Sequence, residues 1–382
     1  MARLQPDLEK EIARDASLRE YIKELQKTTN VLPRYFENLS VGDLAEIRKN
    51  AIVDPSSANI IYKIGGGHIH IDALHSRYIT IEAKLTLEEK EKLRRIKDLI
   101  LEKATAEESV ETKEDLVRIL EKLFALSVEV VGKGSMKRKR KTGKVAVDKR
   151  DYDLLKYYIN RDIVGYGPIE PLIMDPYIED IHLIGTSKVR VSHKAFQYGL
   201  ETNVRFDDDV TLNEFFISIS ERMGRPVSAS RPIVDGTLPD GSRINMIYST
   251  DISARGSSFT IRKFAAEPIS PIQLIKWGTF STEFVAYIWM CLENKMNIIL
   301  AGETASGKTT ALNALLCFID HRGKIYSVED TPEVKPPQRG WQRCVTREAG
   351  PEDARVTMFD LLRAALRSRP DYIVIGEIRG EE

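Results

Sequence analysis

Residues 302–309 read Gly302-Glu303-Thr304-Ala305-Ser306-Gly307-Lys308-Thr309, the pattern G-x-x-x-x-G-K-T. An apolar run at 297–301 precedes it and is expected to be a strand; 310–319, TALNALLCFI, follows and is expected to be a helix. Glycines at both ends of the loop let the chain wrap so that successive backbone N–H groups and the helix N-terminus face one anion. Lys308 would then reach the outer phosphates of a nucleotide, and the Thr309 hydroxyl would stand on Mg²⁺. The implied ligand is ATP with Mg²⁺, held by Gly302 to Gly307, Lys308, Thr309 and Thr310.

Hydrolysis also needs a carboxylate to orient or deprotonate water. Residues 324–328, KIYSV, form an expected strand that delivers Glu329, Asp330 and Glu333 at its C-terminal end, where parallel α/β sheets place active groups. A second expected strand, 371–375, ends in Gly376-Glu377, and Glu377 is the acid placed to help hold the metal. Asp371 opens that strand, about 13 Å from its far end at the strand rise per residue. The segment 359–369 before it reads as an amphipathic helix stopped by Pro370. Charge developing on a transferred phosphate also calls for a guanidinium, and Arg225, Arg231, Arg243, Arg262, Arg339, Arg343 and Arg347 are all candidates that spacing does not separate.

These stations need a scaffold, and 382 residues suffice for two or three domains. Acidic and basic residues balance at 57 each, so only local clusters could direct the chain to nucleic acid or membrane. Cys291, Cys317 and Cys344 have no metal-ligand spacing, and their odd number suits a reducing compartment. No apolar run approaches a membrane span and the start is too charged for a signal peptide, so a cytoplasmic location is expected. Residues 1–132 are expected to form a small α/β region with strands at 59–64 and 67–71. His68 and His70 share one face of the latter; a solvated face is expected, with metal binding as the alternative.

Residues 133–150 contain the basic tract KGSMKRKRKTGK and are expected to be a linker, with an anionic membrane surface as a candidate partner. The tract lacks the interleaved aromatics of a nucleic-acid channel, so no nucleic-acid partner is expected. Residues 151–265 read as an α+β domain, with a helix at 152–163, strands at 178–184, 188–193, 243–248 and 258–262, and a helix at 212–222. The proline-rich 266–276 marks a second linker, and 277–382 is the nucleotide-binding domain.

Taken together, GETASGKTT, SVEDTPEV, GEIRGEE and the upstream RPIVDGTLPDGSRINM resemble the secretion ATPases of the type II/IV superfamily over residues 151–382. SSFTIRKF and WQRCVTRE resemble most its archaeal branch, the archaellum (archaeal flagellum) motor ATPases. The resemblance implies an α/β fold: a RecA-like P-loop domain preceded by an α+β N-terminal domain, assembled as a homo-hexamer at the cytoplasmic face of a membrane and working on a membrane platform protein. It implies nucleotide between the two domains, Glu333 as catalytic glutamate with Glu329 and Asp330 as companions at the metal, and Glu377 as the Walker B acid. It also implies that Arg231 and Arg243 approach the phosphates, and places Arg343 and Arg347 in the stretch after the acidic box; Arg262 is counted with the nucleotide-binding residues. Such proteins continue into a histidine-containing box that this sequence does not reach, so the RecA-like domain is expected to be incomplete at its C-terminus. Pilus assembly or secretion unrelated to the archaellum, and nucleic-acid translocation, are the alternative functions.

Overall fold

The computed structural model describes residues 5–29, 31–65, 67–104, 113–131, 143–196, 198–263, 269–303, 306–347 and 355–378. The chain divides into two compact units, Met1–Lys263 and Phe264–Glu382.

The first unit begins with α1 (Pro6–Arg14) and α2 (Ala16–Thr28), and the Asp15 carboxylate between them caps α2 by accepting from the Ser17 and Leu18 N–H groups. There follow β1 (Arg34–Phe36), α3 (Val41–Val53), β2 (Asn59–Ile64), β3 (Gly67–Asp72), β4 (Arg77–Ile81), α4 (Leu87–Lys103) and α5 (Lys113–Ser127). Next come β5 (Val128–Val130), β6 (Val145–Val147), α6 (Lys149–Ile163), α7 (Glu170–Met174), β7 (Ile178–Ile184), β8 (Lys188–His193) and β9 (Leu200–Arg205). The unit closes with α8 (Asp209–Arg222), β10 (Ile233–Thr237), β11 (Arg243–Ile247) and β12 (Ser258–Arg262).

Ten of these strands make one sheet in the order β1-β2-β3-β4-β9-β8-β7-β12-β11-β10. Strands from 1–132 and from 151–265 therefore share a sheet, and the join is the parallel pair β4–β9, with Arg77 opposite Glu201 and Tyr78 opposite Thr202. An amide side chain extends this short ladder. Asn203 Oδ1 accepts from Thr80 N at 2.9 Å, and Asn203 Nδ2 donates to Thr80 O at 3.0 Å, pairing backbone groups that the strand leaves over. One apolar cluster runs beneath both halves and includes Tyr62, Tyr78, Leu172, Ile181, Phe216 and Phe259. Within it the hydroxyls of Tyr62 and Tyr78 donate to Asp175 Oδ2 at 2.5 and 2.6 Å, the partner that buried phenols require. The Asp175 carbonyl accepts from Lys263, the last residue of the unit. A second apolar cluster joins α4, α5 and α6 to the parallel pair β5–β6. Residues 133–142 of the basic tract lie outside the described residues, in the segment of chain between these two paired strands.

The histidines correct the expectation of a solvated strand face. His68 and His70 are both buried, because α1 and α2 cover that face of β3. His70 Nδ1 meets the Tyr21 hydroxyl at 2.6 Å and its Nε2 meets Asn59 Oδ1 at 2.7 Å. Burial pushes its pKa down to about 4, so this ring is neutral at physiological pH. His68 lies 3.0 Å from Asp15 and 3.7 Å from Glu11, which Lys63 also contacts. Among the described residues no cluster of three metal-ligating groups occurs.

The second unit contains α9 (Pro271–Lys276), α10 (Thr282–Glu293), α11 (Lys308–Leu315), β13 (Ile325–Glu329), β14 (Trp341–Val345), α12 (Met358–Ser368) and β15 (Tyr372–Ile375). The three strands are parallel in the order β14-β13-β15. Side chains alternate across β13 and all five of its residues are buried, so this central strand is covered on both faces. Ile325 packs with α10 and α11 on one side, and Tyr326 and Val328 pack with α12 on the other. Two details differ from the sequence reading. Part of the expected linker 266–276 is helix α9, because Ser270 caps it at Gln273 N and Pro271 suits a first helical turn. The expected strand 297–301 has the alternation of a strand, with Ile298 and Leu300 half-buried and Ile299 83 % exposed, but no ladder partner among the described residues.

Candidate active site

Gly307 has φ 89° and ψ 16°, in the left-handed region that residues with a side chain rarely adopt, and it turns the loop into α11. The N-terminus of α11 has no side-chain cap. First-turn N–H groups of a helix have no acceptor within it, so those of α11 are available to an anion in the loop. Lys308 Nζ donates to the carbonyls of Gly302 at 2.8 Å and Glu303 at 2.6 Å, which lays the ammonium across the loop. A Cβ at Gly302 would stand 2.7 Å from Ser306 Oγ, which would have to rotate away. Gly302, Glu303 and Ser306 are exposed, while Lys308, Thr309 and Thr310 are half-buried at the start of α11. Thr304 and Ala305 lie outside the described residues.

The acidic station is organised around Glu329, which is fully buried at the end of β13. Its Oε1 accepts from both Glu333 N and Val334 N at 2.6 Å. Its Oε2 lies 3.4 Å from Ser327 Oγ and 3.5 Å from Arg343 Nε. Burial raises the Glu329 pKa, against the opposing pull of the two backbone N–H groups and Arg343. Glu329 is expected from the sequence to be one of the metal-binding acids; in the structure its Oε1 accepts from the turn that carries Glu333 and its Oε2 faces Ser327 and Arg343. Arg343, a candidate for the phosphates, serves the same turn. Its Nη2 donates to Val334 O at 2.6 Å, and its guanidinium lies 4.4 Å over the ring of Trp341. Trp341 in turn donates to Ser327 Oγ at 2.9 Å.

Asn313, which is not among the candidates drawn from the sequence, joins this turn to α11. Its Nδ2 donates to Thr309 O at 3.1 Å and Glu333 O at 2.9 Å, and its Oδ1 accepts from Lys335 N at 2.7 Å. The available signal was a lone amide one helical turn after Thr309, in the otherwise apolar run 311–316. Glu333 itself is half-buried. Asp330 accepts from Thr346 Oγ1 at 2.9 Å and borders a cleft of about 430 Å³ that Arg347, Arg355 and Thr357 also line. At the end of β15, Gly376 N donates to Val328 O at 2.9 Å. A Cβ at Gly376 would come within 3.1 Å of Glu329 Cγ, so glycine lets the two strand ends close together. Glu377 follows, exposed. Asp371, at the other end of the strand, pairs with Lys295 at 2.8 Å and accepts from Lys324 N.

Arg231, Arg243 and Arg262 belong to the first unit. Arg243 of β11 stands directly opposite Arg262 of β12, which is also opposite Asp180 of β7. Arg231 is exposed at an isolated bridge to Ser228.

A glycine-turned loop at a helix N-terminus, with a lysine across it and carboxylates at the ends of neighbouring parallel strands, places these residues in an α/β domain. A sequence model of the family described as type II/IV secretion system protein matches residues 162–382, more than half of the chain. The chain belongs to that family. An uncharacterized protein of Methanocaldococcus jannaschii is 48 % identical over 99 % of this chain and 69 % of its own length. The type IV secretion system protein VirB11 of Bartonella quintana is 28 % identical over 46 % of this chain and 57 % of its own. Among solved structures, the pilus retraction motor PilT with bound ADP aligns at 21 % identity over 56 % of this chain and 60 % of that one, with a TM-score of 0.40.

Proposed function

We propose that this protein is an ATP-hydrolysing motor that powers assembly or rotation of an archaeal type IV pilus-like filament, the archaellum, or a related secretion machine. The observation that carries the enzymatic part is the loop itself: Gly307 in the left-handed region, an uncapped α11 and Lys308 Nζ spanning the loop. These residues fit a triphosphate. They fit Mg²⁺ as well, since this ion keeps waters and nucleotide oxygens as ligands and needs only a hydroxyl such as Thr309 and one or two carboxylates. Bound ATP and Mg²⁺ would supply the scissile phosphoanhydride and the neutralisation of its charge. Lys308 and the α11 N–H groups orient the phosphates, Glu333 takes the proton of the attacking water, and Glu377 and Asp330 serve the metal through water. Glu329 supports the turn. Arg231, Arg243 and Arg262 are proposed to meet the phosphates from the first unit.

The family match supports the motor reading, with a homo-hexamer acting on a membrane platform protein at the cytoplasmic face. Among the described residues no helix is long and apolar enough to cross a membrane. The archaellum assignment draws its support from the sequence motifs SSFTIRKF and WQRCVTRE. Lys308→Ala should abolish ATP hydrolysis by the full chain, and turnover at the unsubstituted rate would refute the site. Nucleic acid is expected not to stimulate hydrolysis; strong stimulation by DNA would favour a translocase.

A further inference from the structure

We infer that Asn313 is a positioning residue that locks the main chain of Glu333 to the phosphate-binding helix, an inference that rests on Glu333 acting as general base. Five consecutive main-chain polar groups in the acid turn are held by side chains. Glu333 N and Val334 N are held by Glu329, and Val334 O by Arg343. Glu333 O and Lys335 N are held by Asn313. Glu329 and Arg343 belong to the same sheet as the turn, on β13 and β14, so they fix its shape. Asn313 alone among the three sits on α11, and its second N–H goes to Thr309 O, in the helical turn that would hold the phosphates.

Only a primary amide presents two donors and an acceptor in this arrangement. Aspartate keeps an acceptor for Lys335 N but turns its second oxygen toward two carbonyls, and leucine fills the space with no polar group. Two of the three bonds join α11 to the turn across 20 and 22 residues of chain and the third anchors the amide within α11, so a displacement of the first turn of α11 is passed to the Glu333 main chain. Val334, fully buried beside this link, leaves the turn little freedom to absorb such a displacement.

The test uses the full chain with Asn313→Asp and Asn313→Leu. Each should lower kcat by about 10- to 100-fold, the scale set by misplacing a reacting group by about 1 Å. KM for ATP and Kd for a nonhydrolysable analogue should change by less than about threefold, because the loop residues that bind are untouched. In single-turnover assays, Glu333→Gln combined with Asn313→Leu should be no slower than Glu333→Gln alone, since residues acting through one group are not additive. A kcat within about twofold of the parent, loss of analogue binding in parallel with kcat, or additive effects in the double variant would overturn the inference. Hydrogen exchange on the unsubstituted chain gives a readout independent of variant folding. The analogue should protect the amides at 333–335 together with α11, and protection confined to α11 would overturn the link. Unimpaired turnover of Glu333→Gln would instead remove the base assignment, while the exchange result still judges the coupling through Asn313.

Discussion

Replacing Glu329 by alanine tests whether one buried carboxylate holds the acid turn. The substitution removes the acceptor of two main-chain donors, Glu333 N and Val334 N, each at 2.6 Å, and leaves Arg343 without its carboxylate contact. An unsatisfied buried donor costs about 1–3 kcal/mol, so two cost about 2–6 kcal/mol, and water entering the vacated space would keep the total near the lower end. Glu329→Gln retains an acceptor oxygen for both N–H groups and should cost about 1 kcal/mol or less. The measurement is convenient because the three tryptophans, Trp277, Trp289 and Trp341, all lie in the second unit. Their fluorescence during urea unfolding follows that unit alone, and Trp341 stacks under Arg343 beside the turn.

The pair also separates charge from hydrogen bonding. Because burial raises the Glu329 pKa above the ordinary 4.5, the folded state binds its proton more tightly than the unfolded chain does. This group therefore favours folding most below the unfolded pKa, and its contribution falls as pH rises through the raised folded value. Glutamine should abolish that slope while keeping the turn. An alanine variant within about 0.5 kcal/mol of the parent, with kcat intact, would refute the assignment of the turn's geometry to this carboxylate.

Other outcomes follow from the first unit. The Asp15 pKa is lowered to about 2, first by its hydrogen bond with His68 and then, against burial, by the N–H groups of Leu18 and Ser17. Its contribution to stability is present above the unfolded pKa of 3.8 and lost as pH falls toward 2, so Asp15→Asn should flatten that part of a far-UV circular dichroism titration. An unchanged acid limb would exclude Asp15 as its source. Asp175→Ala strips the acceptor from the Tyr62 and Tyr78 hydroxyls and from Tyr177 N, and should destabilise the first unit by at least about 3 kcal/mol in denaturant unfolding. A loss below about 1 kcal/mol would mean that these groups find other partners.

The sequence by itself determined what neighbouring residues decide. Glycines flanking a loop, then Lys308 and Thr309 at a helix start, specify phosphate chemistry without any distant contact, and strands 178–184, 188–193 and 258–262 coincide with β7, β8 and β12 because their alternation or β-branched content is local. The histidine pair shows the limit of such reading. Alternation put His68 and His70 on one face, but whether that face meets water depends on α1 and α2, which reach β3 from some 50 residues away. The tertiary structure alone decided the single ten-stranded sheet, whose join at Thr80 and Asn203 spans 123 residues. It also gave Glu329 and Arg343 partners in the acid turn, and gave Asn313 three partners. A side chain's hydrogen-bond capacity is written in its chemistry, but which backbone groups it must satisfy is fixed only when folding buries them together.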